Sequence, residues 1–252
     1  MNTAQISVPL WQRARPLTEA ELENIPWMKS LSRAEQEHAA SHLRAATAQA
    51  GDTLCRIGKP PTYWFGVIDG LLKMSNDNAN TPPITFTGVP PGAWFGEGTL
   101  LKREPYRYNI QALRKSTVAG LPIDTFHELL DTSLAFNRFV LRQLNERLGQ
   151  FIAAVEIDRL NDTDSRVARG LAAMFHPILY PGVGQLLRIT QQELGYVVGL
   201  SRQRVNEALN VLQDRGLIRI EYGGVRVLDL DGLRNAVPVG ESSMPGFNER
   251  DR

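Results

Sequence analysis

The chain has one cysteine, Cys55, among 252 residues. A lone thiol excludes an internal disulfide framework, a four-cysteine iron–sulfur cage and a CxxC zinc site. Cys55 stands in an apparent strand, where a small buried hydrophobe is expected rather than a redox sensor. No apolar run reaches the length that spans a bilayer, and no leader pattern opens the chain. A cytoplasmic protein with no membrane partner is therefore expected. An excess of one charge sign is also missing: 28 Lys and Arg stand against 27 Asp and Glu, for a net charge of +1. Such a balance argues against a protein that coats nucleic acid along its whole length. Metal-ligand spacings, a P-loop and a nucleophile elbow are absent, and Asp and His are scattered without a shared motif. Catalysis is not expected.

What is present divides the chain. Its length favours two modest domains. Residues 1–44 read as an extension, of about fifteen residues, followed by short helices. Across 45–124, glycines and prolines punctuate short β-rich runs such as YWFGVIDGLLKM, PITFTG and AWFGEGTLL. Strands at that spacing predict a small antiparallel barrel or roll, with Asp69-Gly70 as a hairpin turn. Residues 125–161 form the longest periodic stretch. Leu134, Leu141, Leu148 and Val155 recur every seven residues, with Leu130, Leu144 and Phe151 on neighbouring positions. A stripe sustained over four heptads predicts a seam against a second copy, hence a homodimer. Arg138, Arg142, Glu146, Arg147 and Glu156 are expected on the solvated flanks. NDTDS at 161–165 then breaks the pattern and offers helix-capping oxygens, a natural hinge. The tail, 238–252, is rich in Gly, Pro and Ser and is expected to lack order.

Residues 162–237 carry the most specific text, TQQELGYVVGLSRQRVNEALNVLQDRGLIRIEYGGVRV. Thr190 and Glu193 have capping-box spacing. Gly199 suits the turn, and Ser201 can cap a second helix. That helix turns Val205, Ala208, Leu209 and Leu212 inward and Arg202, Gln203, Arg204, Asn206 and Glu207 outward. These outward groups have the hydrogen-bonding forks that read base edges in a major groove. Leu217, Ile218 and Ile220 before a Gly223-Gly224 turn, with Val225, Val227 and Leu228 after it, predict a hairpin wing. Eight Arg against four acidic residues between Arg166 and Arg226 give the local basic balance that phosphate contact needs. Two ordinary amphipathic helices joined by a glycine turn remain the simpler alternative.

These pieces, in this order, resemble the Crp/Fnr family of bacterial transcription regulators. The resemblance runs from about Leu31 to Leu230. It rests on ITQQELGYVVGLSRQRVNEALNVLQDRGLI and on Phe95-Gly96-Glu97 with Arg107 ten residues later. It implies an α+β protein: an N-terminal, jelly-roll-like antiparallel β-roll of cyclic-nucleotide-binding type, a long dimerisation helix and a C-terminal winged helix-turn-helix. It also implies homodimers on palindromic promoter DNA, with RNA polymerase as a further partner. By position, Arg202, Gln203, Asn206 and Glu207 match the family's DNA-contacting sites, while Thr190, Gln191, Ser201 and Arg226 suit backbone phosphates.

The effector pocket that the resemblance implies would comprise Gly96, Glu97, Gly98, Arg107 and Tyr108. In cyclic-AMP-binding members the glutamate holds the ribose hydroxyl, the arginine pairs with the cyclic phosphate, and a small hydroxyl residue follows it. Here Tyr108 stands in that last place, where a phenol ring crowds a phosphate. A cyclic nucleotide, another small ligand or a purely structural remnant all stay open, so the cofactor is unknown. Haem would have to be ligated by His38, His42, His127 or His176, and isolated helical histidines are more often packing or surface residues. An alternative function is a cyclic-nucleotide sensor module that signals through protein contacts, with the winged helix as a packing domain.

Overall fold

The computed structural model describes residues 10–77, 84–158 and 162–236. The tail from Pro238 lies outside them. A short 3-10 turn, Leu10–Arg13, precedes helices α1 (Glu19–Glu23) and α2 (Arg33–His42). Both helices start on reciprocal capping boxes, Thr18 with Glu21 and Ser32 with Glu35, so each satisfies two otherwise orphaned amides. The turn is less of an extension than its position suggests. Trp11 stacks on Tyr63 at 4.7 Å and on Phe65 at 5.4 Å between ring centroids. Arg15 and Ala45 exchange backbone hydrogen bonds of 2.9 and 2.7 Å.

The next segment contains β1 (Arg44–Ala48), β2 (Thr53–Cys55), β3 (Tyr63–Asp69), β4 (Leu72–Asn76), β5 (Ile84–Val89), β6 (Trp94–Phe95), α3 (Glu97–Lys102), β7 (Asn109–Ala112) and β8 (Ser116–Pro122). The strands form two antiparallel sheets, ordered β1-β8-β3-β6 and β2-β7-β4-β5. Strand alternation explains the double burial of β3. Phe65 and Val67 join the interior between the sheets, with Cys55, Met74, Ile110 and Val118. Trp64 faces the other way, into a second core with Trp27, Trp94, Phe126 and Phe136. The expected Asp69-Gly70 hairpin is not one, because β3 and β4 lie in different sheets. The chain crosses between sheets there, and the Leu71 amide donates to Ser116 Oγ at 3.2 Å.

The periodic stretch is two helices, α4 (Ile123–Thr132) and α5 (Leu134–Asp158). Ser133 separates them with extended backbone (φ −110°, ψ 107°), and its hydroxyl caps α5 by accepting from the Phe136 amide at 3.2 Å. On α5, Phe136, Val140, Gln143 and Arg147 are buried toward the roll. Leu134, Leu141, Leu148, Ile152 and Val155 stay 55–66% exposed. Ile152 thus belongs with the exposed stripe, whereas Leu144 and Phe151 are partly buried against their own chain. Phe151 lies edge-on to Phe86 at 6.4 Å. Leu144 and Phe151 each lie three residues after an exposed leucine, on the side of the stripe that faces the roll, whereas Ile152 lies four residues after Leu148, on the other side.

The C-terminal unit holds α6 (Thr163–Ala173), β9 (Leu186–Leu187), α7 (Gln191–Val198), α8 (Arg202–Asp214), β10 (Ile218–Glu221), β11 (Gly224–Val227) and α9 (Leu230–Arg234). Asp162 caps α6 by accepting from the Ser165 amide at 2.8 Å. The wing has three strands, ordered β10-β11-β9. Its turn is one residue earlier than Gly223-Gly224: Glu221 pairs with Gly224, leaving Tyr222 and Gly223 (φ +72°) as the loop. Gly224 serves a different need, since a Cβ there would lie 2.7 Å from the Leu187 carbonyl oxygen of the neighbouring strand. The unit is tied to the roll by Arg114, whose Nε lies 2.9 Å from the carboxylate of Glu193.

Candidate nucleic-acid interface and effector site

The interface begins with α7. Thr190 Oγ1 accepts from the Glu193 amide at 3.2 Å, and the Thr190 amide donates to Glu193 Oε2 at 2.7 Å. Gly199 then ends the helix with φ +69°, a left-handed conformation that turns the chain toward α8. Ser201 caps α8 by accepting from the Arg204 amide at 3.3 Å. Val205, Ala208, Leu209 and Leu212 anchor the inner face. Arg202, Gln203, Arg204, Asn206 and Glu207 are all exposed on the outer face.

These outer groups are organised among themselves. Gln191 Nε2 donates to Asn206 Oδ1 at 2.6 Å, and Gln203 Nε2 donates to Glu207 Oε1 at 3.0 Å. Arg204 also lies 3.5 Å from Glu207. Glu207 therefore holds two recognition-face neighbours in place while remaining able to accept from a base amine. A groove of about 490 Å³ runs between α7, α8 and the wing, and Thr190, Gln191 and Arg202 line it together. Arg226, expected at a backbone phosphate, lies on β11 of the wing. Its guanidinium is committed to Glu221, which it meets across the hairpin, and the pairing holds the Glu221 carboxyl below its usual range. The wing tip presents Tyr222, fully exposed, and Arg219 is exposed on β10.

The expected effector residues separate. Gly96, Glu97, Gly98 and Tyr108 come together, but Arg107 does not join them. Its side chain is 83% exposed and faces Glu104 at 3.3 Å. Glu97 is 2% exposed and receives Arg147 instead, from Nε at 3.0 Å. Arg147 also donates from Nη2 to the Trp94 carbonyl at 2.8 Å. Its expected place on a solvated flank is thus wrong, because the face of α5 that carries Val140 and Gln143 also carries Arg147 into the roll. Heptad counting assigns a charge to a flank by default, and only the carboxylate waiting inside reveals the exception. Burial alone would lower the Arg147 pKa, but the Glu97 charge beside it reverses that and the guanidinium stays charged. The Tyr108 hydroxyl lies 3.9 Å from where a Cβ on Gly96 would be, and burial raises its pKa. Glu97 Oε2 and the Gln143 amide are buried with no hydrogen-bond partner among the described residues. Cys55 is buried, as expected, and desolvation pushes its thiol up to about 12.

Two polar contacts lead from this site to the C-terminal unit. Gln150, which lies 3.5 Å from Arg147, donates to the Tyr180 hydroxyl at 2.8 Å. Glu146 lies 3.3 Å from Nε2 of His176, whose Nδ1 accepts from the Ile178 and Leu179 amides. The His176 proton therefore sits on the side facing Glu146.

Comparison with known proteins agrees with both halves of this geometry. Residues 46–133 match the family described as Cyclic nucleotide-binding domain, and residues 165–236 match the Crp-like helix-turn-helix domain. The chain belongs to the Crp/Fnr family of DNA-binding transcription regulators. It is 27% identical over 190 residues to the transcriptional regulator SdrP of Thermus thermophilus, covering 74% of this chain and 90% of that protein. It is 27% identical over 187 residues to the cAMP-activated global transcriptional regulator CRP of Haemophilus influenzae, covering 71% and 81%. The structure of FixK2 from Bradyrhizobium japonicum superposes with a TM-score of 0.62 at 14% identity, covering 78% of this chain and 99% of that one, and so shares the fold. Among the described residues no helix is long and apolar enough to cross a membrane.

Proposed function

We propose that this regulator works in the cytoplasm as a homodimer joined along the exposed stripe of α5, and that it binds two-fold symmetric promoter sites. The observation that carries this reading is the outer face of α8, where five polar side chains stand exposed over a fully buried apolar face. The stripe supports a self-contact, because residues repeating every seven positions meet their own copies across a two-fold axis. Dimer symmetry then sets half-sites about 10 base pairs apart, centre to centre. Arg202 and Gln203 read base edges, with Arg204, Asn206 and Glu207 positioning them or reading further bases. Thr190, Gln191 and Ser201 contact phosphates at the rim of the groove. RNA polymerase is the downstream partner, and no catalytic step is involved.

Selection of bound sequences from a random duplex pool tests this reading. A palindromic consensus is expected. Arg202→Ala should weaken specific binding by about 1–3 kcal/mol and relax preference at one position of each half-site. An Arg202→Ala variant with unchanged sequence preference removes that residue from base reading, and a pool that yields no consensus at any salt overturns the function.

A further inference from the structure

The fold of residues 46–133 is that of a cyclic-nucleotide-binding domain, but the charges inside it do not suit that ligand. A cyclic nucleotide needs a hydroxyl acceptor at its ribose and a cation at its phosphate. Glu97 Oε2 remains as an acceptor. Among the described residues, neither arginine near Glu97 and Tyr108 is free to serve as the phosphate's cation. Arg107 points to solvent and Glu104, and Arg147 is spent on Glu97 and the Trp94 carbonyl. Tyr108 adds a phenol against Gly96. Inserting an anion here would strip Arg147 from a buried carboxylate and leave that carboxylate unpaired, a costly exchange.

We propose that Arg147 is a built-in substitute for an effector: it supplies Glu97 with a cation from α5 and couples the roll to the DNA-binding unit, so that the protein binds its operator without any cyclic nucleotide. The coupling path is short. Arg147 fixes α5 against α3 and β6, and its neighbours on the same helix, Gln150 and Glu146, hold Tyr180 and His176 at the entrance to the DNA-binding unit. One rigid helix face therefore connects Glu97 to the segment that orients α7 and α8. This inference rests on the operator-binding reading above for its DNA arm, but not for its ligand arm.

The full-length protein, dialysed free of nucleotides, is titrated calorimetrically with cyclic AMP and cyclic GMP to millimolar concentration. No saturable binding is expected. Gel shifts on the selected operator should show full affinity without nucleotide and no gain on adding it. Arg147→Met should weaken operator binding by about tenfold, within the usual span of coupling between sites, and Arg147→Lys should recover part of the loss. Arg107→Ala should leave operator binding unchanged. Micromolar binding of either nucleotide, or operator binding that appears only in its presence, overturns the proposal while leaving the DNA-binding function intact. Loss of operator binding in a folded Arg107→Ala variant overturns it as well. The calorimetric titration requires neither an operator nor a folded variant, so a protein that selects no DNA sequence refutes the operator reading separately.

Discussion

Replacing Leu141 and Leu148 with lysine should dissolve the proposed dimer while leaving each protomer folded. Both leucines are about three-fifths exposed on the single chain, at 61% and 60%. Full burial of an aliphatic side chain stabilises by about 1.5–3 kcal/mol, so about 1–2 kcal/mol remains available at each such position for contact with a partner. The stripe holds five residues of this kind, Leu134, Leu141, Leu148, Ile152 and Val155. Across a two-fold axis they supply about 10–20 kcal/mol before the cost of association, itself about 4–15 kcal/mol. The double substitution removes two of the five on each protomer, a loss of about 4–8 kcal/mol, and sets like charges against each other. At about 1.4 kcal/mol per tenfold, the dissociation constant should rise by about three decades or more. Lysine is a good helix former, so α5 should persist. Sedimentation equilibrium from nanomolar to high micromolar concentration measures the shift, with circular dichroism as the check on folding. Operator affinity should fall with it, because each half-site is then bound alone. A variant that sediments as a dimer over the same range as its parent would show that the copies do not meet along this stripe.

Two further outcomes follow from local geometry. The Arg15 guanidinium holds the Glu21 carboxyl at about 2, down from an ordinary 4.5, by direct hydrogen bonding. A carboxyl lowered in the folded state stabilises above its unfolded value and stops doing so as pH falls from about 4.5 toward 2. Glu21→Gln should therefore cost about 1 kcal/mol near neutrality, discounted because Arg15 is half exposed, and the gap from wild type should narrow as pH falls below about 4.5. A gap in melting temperature that stays constant from pH 7 to pH 3 would contradict the pairing. Gly224→Ala places a Cβ within 2.7 Å of the Leu187 carbonyl oxygen. It should cost about 1–3 kcal/mol by forcing β9 away from β11, and a thermal melt indistinguishable from wild type would show that β9 yields freely.

The sequence on its own determined the parts whose signals are local. A helix turn-helix pair is written in caps and glycines, since a capping box, a left-handed turn and a new cap are each chosen by nearest neighbours along the chain. The apolar face of α8 was equally legible because 3.6-residue periodicity needs no partner to be read. Tertiary structure decided everything that depended on which element faced which. Asp69-Gly70 has the composition of a hairpin, but the two strands it joins hydrogen-bond to others in separate sheets. Leu144 and Phe151 share the heptad stripe in sequence, yet their helix presents them to the roll and leaves Ile152 outside. Arg226 has the charge for a phosphate and is taken by a glutamate across the hairpin. Arg147 reads as one more solvated arginine, while Arg107 reads as the ligand's. The fold exchanges them, because a buried carboxylate is costly to leave unpaired: Glu97 is sealed in the roll, and it is α5, packed against it, that brings a guanidinium from 50 residues along the chain within hydrogen-bonding reach.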